Sequence, residues 1–207
     1  MEPSDVDIWR IQLDRVDIDL SVLSSPEMQK ANRCLTESHR HRYRATRFCL
    51  RSILACYLPI TADNVELEKS ANGKPSIPDS PIEFNLTHSG PLALLAITSG
   101  KLIGIDIEPI RKRNNVAAIA KRVLSNEIVG RLNRTSDETE KALLFTRVWT
   151  AFEARQKMTG NGIFGSSNTP VHQLLRIHPF DEWIAAIAVE GEKQDTPPRF
   201  FDFPTIS

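Results

Sequence analysis

No stretch of this sequence approaches the roughly 18–20 apolar residues that a bilayer-crossing helix needs. The opening Met1-Glu2-Pro3-Ser4-Asp5 has neither the basic start nor the apolar run of a secretion signal. Neither a membrane span nor export is therefore expected. Cysteine is scarce: Cys34, Cys49 and Cys56 make an odd number without C-x-x-C spacing, which argues against a disulfide framework. Cys49 and Cys56 are spaced to share a helix face as small apolar fillers. These absences predict a reduced, cytoplasmic protein. Net charge is missing too, because 26 basic side chains cancel 26 acidic ones, so nothing global suggests a nucleic-acid coat or a polybasic membrane anchor. What the chain does have is 207 residues at 41% hydrophobic content, enough for one large domain or two small ones.

Charge is distributed unevenly along this neutral chain. Lys30, Arg33, Arg40, Arg42, Arg44, Arg47 and Arg51 crowd one segment against the single acid Glu37, with His39 and His41 adding to the basic character. A local cluster of this kind points to one anionic ligand rather than to polyanions in general. Nucleic-acid binding through residues 30–51 is disfavoured by the neutral total and by the lack of an aromatic–basic platform.

Hydrophobic periodicity outlines the elements. Val6–Leu13 alternates as a strand. Ser24-Ser25-Pro26-Glu27 starts a helix with a serine cap, a first-turn proline and an acid at the positive dipole end. Helix continues, with a break near Thr36, to Leu58, where Pro59 ends it. Tyr43, Leu50, Leu54 and Tyr57 form its apolar stripe, and Arg47 falls within that stripe. An inward arginine requires a partner, either a structural carboxylate or a ligand phosphate. Strands are expected near Val65–Leu67, at Phe84–Leu86, Leu92–Thr98, Leu102–Ile107, Leu174–Ile177 and Trp183–Val189. His88-Ser89-Gly90-Pro91 is expected to connect the second and third of these. Helices are expected at Asn114–Val123, Asn126–Leu132 and Glu140–Thr159, with a loop opened by Gly160, Gly162 and Gly165. The order of elements suggests an α+β protein of two comparable lobes, residues 1–102 and 103–207, ending in a proline- and charge-rich tail from about residue 190.

Two acidic strings carry the chemistry. In Gly104-Ile105-Asp106-Ile107-Glu108 the period of a strand puts Asp106 and Glu108 on one face and the isoleucines on the other. Paired carboxylates repel unless a cation lies between them, and a hard ion such as Mg2+ suits them; a solvated strand edge is the plain alternative. Trp149-Thr150-Ala151-Phe152-Glu153 supplies a third carboxylate from a helix.

Four strings in order are far more specific than any one: Gly73-Lys74-Pro75, then Phe84-Asn85-Leu86-Thr87-His88-Ser89, then Gly104 to Glu108, then Trp149-Thr150-Ala151-Phe152-Glu153-Ala154-Arg155-Gln156-Lys157. Over about residues 25–160 the chain resembles the 4'-phosphopantetheinyl transferases of the long, monomeric, surfactin-synthetase-activating type. The resemblance implies two similar α/β lobes with pseudo-twofold symmetry. It also implies transfer of the 4'-phosphopantetheine arm of coenzyme A to a serine of an acyl or peptidyl carrier protein, with Mg2+ or Mn2+ and release of 3',5'-ADP. Matched residue by residue, Asp106, Glu108 and Glu153 would hold the metal. Glu153, Lys157 and His88 would be catalytic. Arg42, Arg47, Lys74, Pro75, Thr87, His88 and Lys157 would bind coenzyme A, with Thr87 standing where serine is usual.

One residue departs from the pattern. Phe152 occupies a position where the resemblance calls for lysine, which admits a second reading: a catalytically weakened relative that binds coenzyme A or the carrier. Lys157 or Arg155 is expected to take over the missing charge.

Overall fold

The computed structural model describes residue 3 and residues 5–70, 73–114, 116–160, 170–192 and 196–206. In chain order the elements are β1 (Asp7–Gln12), α1 (Ser25–Asn32), α2 (Glu37–Ala55), β2 (Glu68–Lys69), β3 (Pro75–Ser76), β4 (Ile82–Ser89), β5 (Leu92–Ser99), β6 (Ile103–Pro109), α3 (Val116–Val123), α4 (Asn126–Arg134), α5 (Glu138–Thr159), β7 (His172–Ile177), β8 (Trp183–Glu190) and β9 (Arg199–Asp202). The α+β class expected from the sequence is what the chain adopts.

Two sheets form the centre. One has the order β4-β5-β1-β9 and the other β6-β8-β7. Alternation along each strand decides what packs where. Ala93, Leu95 and Ile97 of β5 face α2 and its Cys49, Leu50, Ile53 and Leu54. Leu94 and Ala96 face the other way and meet Ile103, Ile105 and Ile107 of β6 and Ala185, Ile187 and Val189 of β8. The opposite faces of β6 and β8 lie under α5: Ala186 and Ala188 pack on Ala151, Ala154 and Met158. The result is four layers, α2, sheet, sheet, α5. A separate cluster of Ala120, Leu132 and Phe145 seats α3 and α4 against α5.

The helix ends follow the capping chemistry. Glu27 accepts from the backbone N–H of Ser24 at 2.9 Å, closing the start of α1. The break near Thr36 is real: Thr36 Oγ1 accepts from His39 N at 3.2 Å and starts a new helix there. Asp137 caps α5 by accepting from Glu140 N at 2.7 Å, so that helix begins slightly earlier than periodicity alone placed it. Gly160 ends it in the left-handed region at φ 70°.

Some local expectations need correction: the strand expected near Val65–Leu67 is the two-residue β2 at Glu68–Lys69 instead. His88 and Ser89 are strand residues, paired with Ala93 and Leu92, and only Gly90-Pro91 turns the chain, Gly90 at φ 55°. The tail is not wholly irregular either. Its strand β9 runs parallel to β1 at the edge of the first sheet, Phe201 stacks on Trp9 with ring centroids 4.8 Å apart, and Arg199 donates to both oxygens of the fully buried Asp7, each at 2.8 Å.

Candidate active site

Gly104 makes the site possible. A Cβ built there would lie 2.1 Å from the Ala154 carbonyl oxygen and 2.3 Å from Met158 N. Only glycine lets α5 sit this low on β6. The close approach brings Lys157 over Asp106: Nζ donates to Asp106 Oδ1 at 2.7 Å and to Thr87 Oγ1 at 3.1 Å. Thr87 in turn donates to the same Asp106 oxygen at 3.2 Å. Two positions earlier on β4, Asn85 Oδ1 accepts from Ile105 N at 2.9 Å. Asn85 and Thr87 thus point from the first sheet into the second, joining two of the sequence strings through side chains.

The acids share one electrostatic neighbourhood. Burial pushes Asp106 up to about 6; Lys157 opposes that, while Glu108 and Glu153 add to it. Burial also raises Glu153, against Lys157 and with the help of Glu108. Asp106 Oδ2 is buried with no hydrogen-bond partner, an arrangement that costs free energy unless something positive meets it. Glu108 Oε2 accepts from Arg113 Nη2 at 2.7 Å. Among the described residues, no three His, Cys, Asp or Glu side chains already stand close enough to cage a metal ion. The donor chemistry nevertheless suits a hard divalent cation: an orphaned carboxylate oxygen with two further acids close enough to perturb it.

Beside this cluster, between α2 and β4, lies a cavity of about 510 Å3 lined by Lys30, His39, Arg42, Arg47 and His88 among others. A second cavity of about 490 Å3 shares Lys30, Tyr43 and Arg47 and adds Lys69, Gly73 and Pro75. His88 links pocket and acids: burial lowers its pKa, and so does the charge of Lys157. Both candidate arginines already have carboxylate partners. Arg42 grips both oxygens of Asp14, each at 2.7 Å. Arg47 donates to Glu27 Oε1 at 2.5 Å, and buried Arg51 takes Oε2 at 2.8 Å. The stripe arginine therefore has its structural carboxylate, and still lines the pocket.

Other candidates stand elsewhere. Lys74 Nζ donates to the carbonyls of Ile103 at 3.2 Å and Met158 at 3.0 Å, tying the start of β6 to the end of α5 rather than projecting into either cavity; burial lowers its pKa. Arg155 does not replace a charge at the site, because its Nε contacts His172 Nε2 on β7 at 2.9 Å. Phe152 extends an aromatic run on α5: its ring lies 6.0 Å from Trp149, which stacks on Phe145 at 5.9 Å. The Gly162 and Gly165 positions of the expected loop lie outside the described residues. Sequence reasoning missed Gly104, Asn85 and Arg113. The first two sit inside quoted motifs, where a glycine before an acid and an asparagine mid-strand were the available signals. Arg113 had none.

Comparison with known proteins shows the family. Residues 102–203 match the model of the 4'-phosphopantetheinyl transferase superfamily. The chain is 36% identical to the 4'-phosphopantetheinyl transferase HetI of Nostoc sp. over 210 residues, covering 90% of this chain and 88% of HetI. It is 32% identical to the putative 4'-phosphopantetheinyl transferase slr0495 of Synechocystis sp., over 78% of this chain and 67% of that protein. The transferase AcpT of Escherichia coli K12 matches at 36% over 46% of this chain and 49% of its own. The chain belongs to the 4'-phosphopantetheinyl transferase superfamily, and it is an enzyme of that activity.

Proposed function

We propose that this enzyme transfers the 4'-phosphopantetheine arm of coenzyme A to a serine of an acyl or peptidyl carrier protein, in a Mg2+-dependent reaction (Mn2+ serving as an alternative), as a two-lobed cytoplasmic monomer of the long, surfactin-synthetase-activating type. The observation that carries the reading is the meeting of Lys157, Thr87 and the half-orphaned Asp106 beside a basic cavity. Lys30, Arg42 and Arg47 suit the nucleotide end of coenzyme A, its 3'-phosphate above all, because guanidinium forks match phosphate oxygens. Both arginines keep a carboxylate partner, which holds their side chains in place while N–H groups remain for a ligand. Pro75 lines the adjoining cavity, and the Lys74 ammonium serves the α5–β6 junction instead.

In the transfer, the serine oxygen bonds to the pantetheine-side phosphorus and the bond to the bridging oxygen breaks, releasing 3',5'-ADP. Lys157 and His88 steady the diphosphate, and Glu153 takes the serine proton, directly or through water. The raised pKa of Glu153 makes it a better base than a solvated carboxylate. Asp106, Glu108 and Glu153 would hold the cation, which supplies charge neutralisation at the diphosphate.

Mass spectrometry of several apo-carrier proteins incubated with enzyme, coenzyme A and Mg2+ tests this. A gain of one phosphopantetheine unit is expected on at least one, abolished in Glu153→Gln and Asp106→Asn. No gain on any carrier, with coenzyme A still bound, would instead favour the weakened relative that Phe152 allows.

A further inference from the structure

We propose that Arg113 is a positioning residue for the acid cluster: it holds Glu108 toward Asp106 and Glu153, and so sets how tightly this enzyme binds its divalent cation. The inference rests on the reading that the three acids share one ion. Glu108 stands near the end of β6, and its ion pair with Arg113 is largely withdrawn from water, each side chain being 19% exposed. Like charge on Asp106 and Glu153 would drive an untethered Glu108 side chain outward. Arg113 prevents this from a fixed place. Its guanidinium carbon lies 5.8 Å from the centre of the Phe145 ring, its Nε is buried, and Ile110 N, donating to Glu182 O at 2.8 Å, anchors the intervening backbone.

Only one oxygen of Glu108 is engaged by this clamp. Oε2 accepts from Arg113 Nη2, and Oε1 has no hydrogen-bond partner among the described residues. A carboxylate held by one oxygen presents the other as a ligand with little orientational entropy left to lose, the usual service of a group behind a metal ligand. The aromatic run on α5 gains a purpose as well, since Phe145 is the shelf on which the clamp rests.

Mn2+ alone is the probe, its free fraction read by electron paramagnetic resonance on full-length protein without coenzyme A. Arg113→Ala should weaken Mn2+ binding about 10–100-fold, as loss of such second-layer partners does. Arg113→Met, which keeps an unbranched stem against Phe145, should lose the same, and Arg113→Lys less than either. Thermal melts confirm that each variant is folded, and Arg113→Met carries the comparison should Arg113→Ala not fold. Affinity in both neutral variants equal to or tighter than wild type, while Asp106→Asn loses binding, would overturn the role of Arg113 alone. Wild-type binding unaffected by Asp106→Asn would overturn the shared-ion reading and the clamp with it.

Discussion

Asp106 is ionised against its surroundings. Its folded pKa of about 6 stands above the ordinary 3.8, so protonation favours the fold. That stabilisation is fully present below pH 4 and is lost as pH rises through 6. At neutral pH the charge therefore costs stability, up to about 3 kcal/mol for a shift of this size. Asp106→Asn is expected to raise the melting temperature at pH 7–8 without divalent ions, and to lose that advantage near pH 4, while abolishing transfer. A pair of melting curves at those two pH values checks it. Phe152 poses the converse question. Its neighbour is Trp149, and Arg155 is occupied by His172, which leaves Lys157, already bonded to Asp106, as the cation the sequence pattern offers in its place. Phe152→Lys should raise kcat about tenfold or more, since one electrostatic contact at such a centre is commonly worth 10²–10³ in rate. An unchanged kcat would mean that no charge is missing there.

Among elements, the contact of β6 with α5 matters most. Small residues let the helix settle, Ala186 and Ala188 of the neighbouring β8 against Ala151 and Ala154 of α5, and Gly104 of β6 sets how far. Backbone atoms are what an added methyl would strike, and backbone cannot swing aside. Gly104→Ala should cost at least about 2–3 kcal/mol in denaturant unfolding, the upper range for overpacking, and should displace Lys157 from Asp106. Lys74 serves the same junction by bonding a carbonyl from each element. Much at this scale was legible beforehand: the acids' shared strand face, the helix carrying Glu153 and Lys157, the break at Thr36. What escaped was any feature whose partner is remote in sequence. Glu27 looked like a dipole acid but also binds Arg47 and Arg51; Lys74 looked like a phosphate ligand but meets carbonyls.

At the scale of the molecule, the chain closes on itself. The tail strand β9 lies beside β1, Phe203 meets Phe48 of α2 edge-on at 6.0 Å, and buried Asp7 is held by Arg199 and by Tyr57, whose hydroxyl donates at 2.9 Å. Removing residues 197–207 uncovers Trp9 and leaves Asp7 short of its cation. The truncated protein should melt well below wild type and bind coenzyme A more weakly, because α2 also carries Arg42 and Arg47. Calorimetry and equilibrium binding report the two effects, and a truncation that leaves both unchanged would show the tail to be passive.

By itself, the sequence determined the family, the mixed architecture, and which side chains could do chemistry, since motif order, strand alternation and helix capping are local properties. Tertiary structure alone decided how those groups are used: the depth of α5 on β6, the pairing of Lys157 with Asp106, the return of the tail, the clamp on Glu108. Each depends on distances between segments far apart in the chain, where packing and charge neutralisation act and local pattern carries no signal.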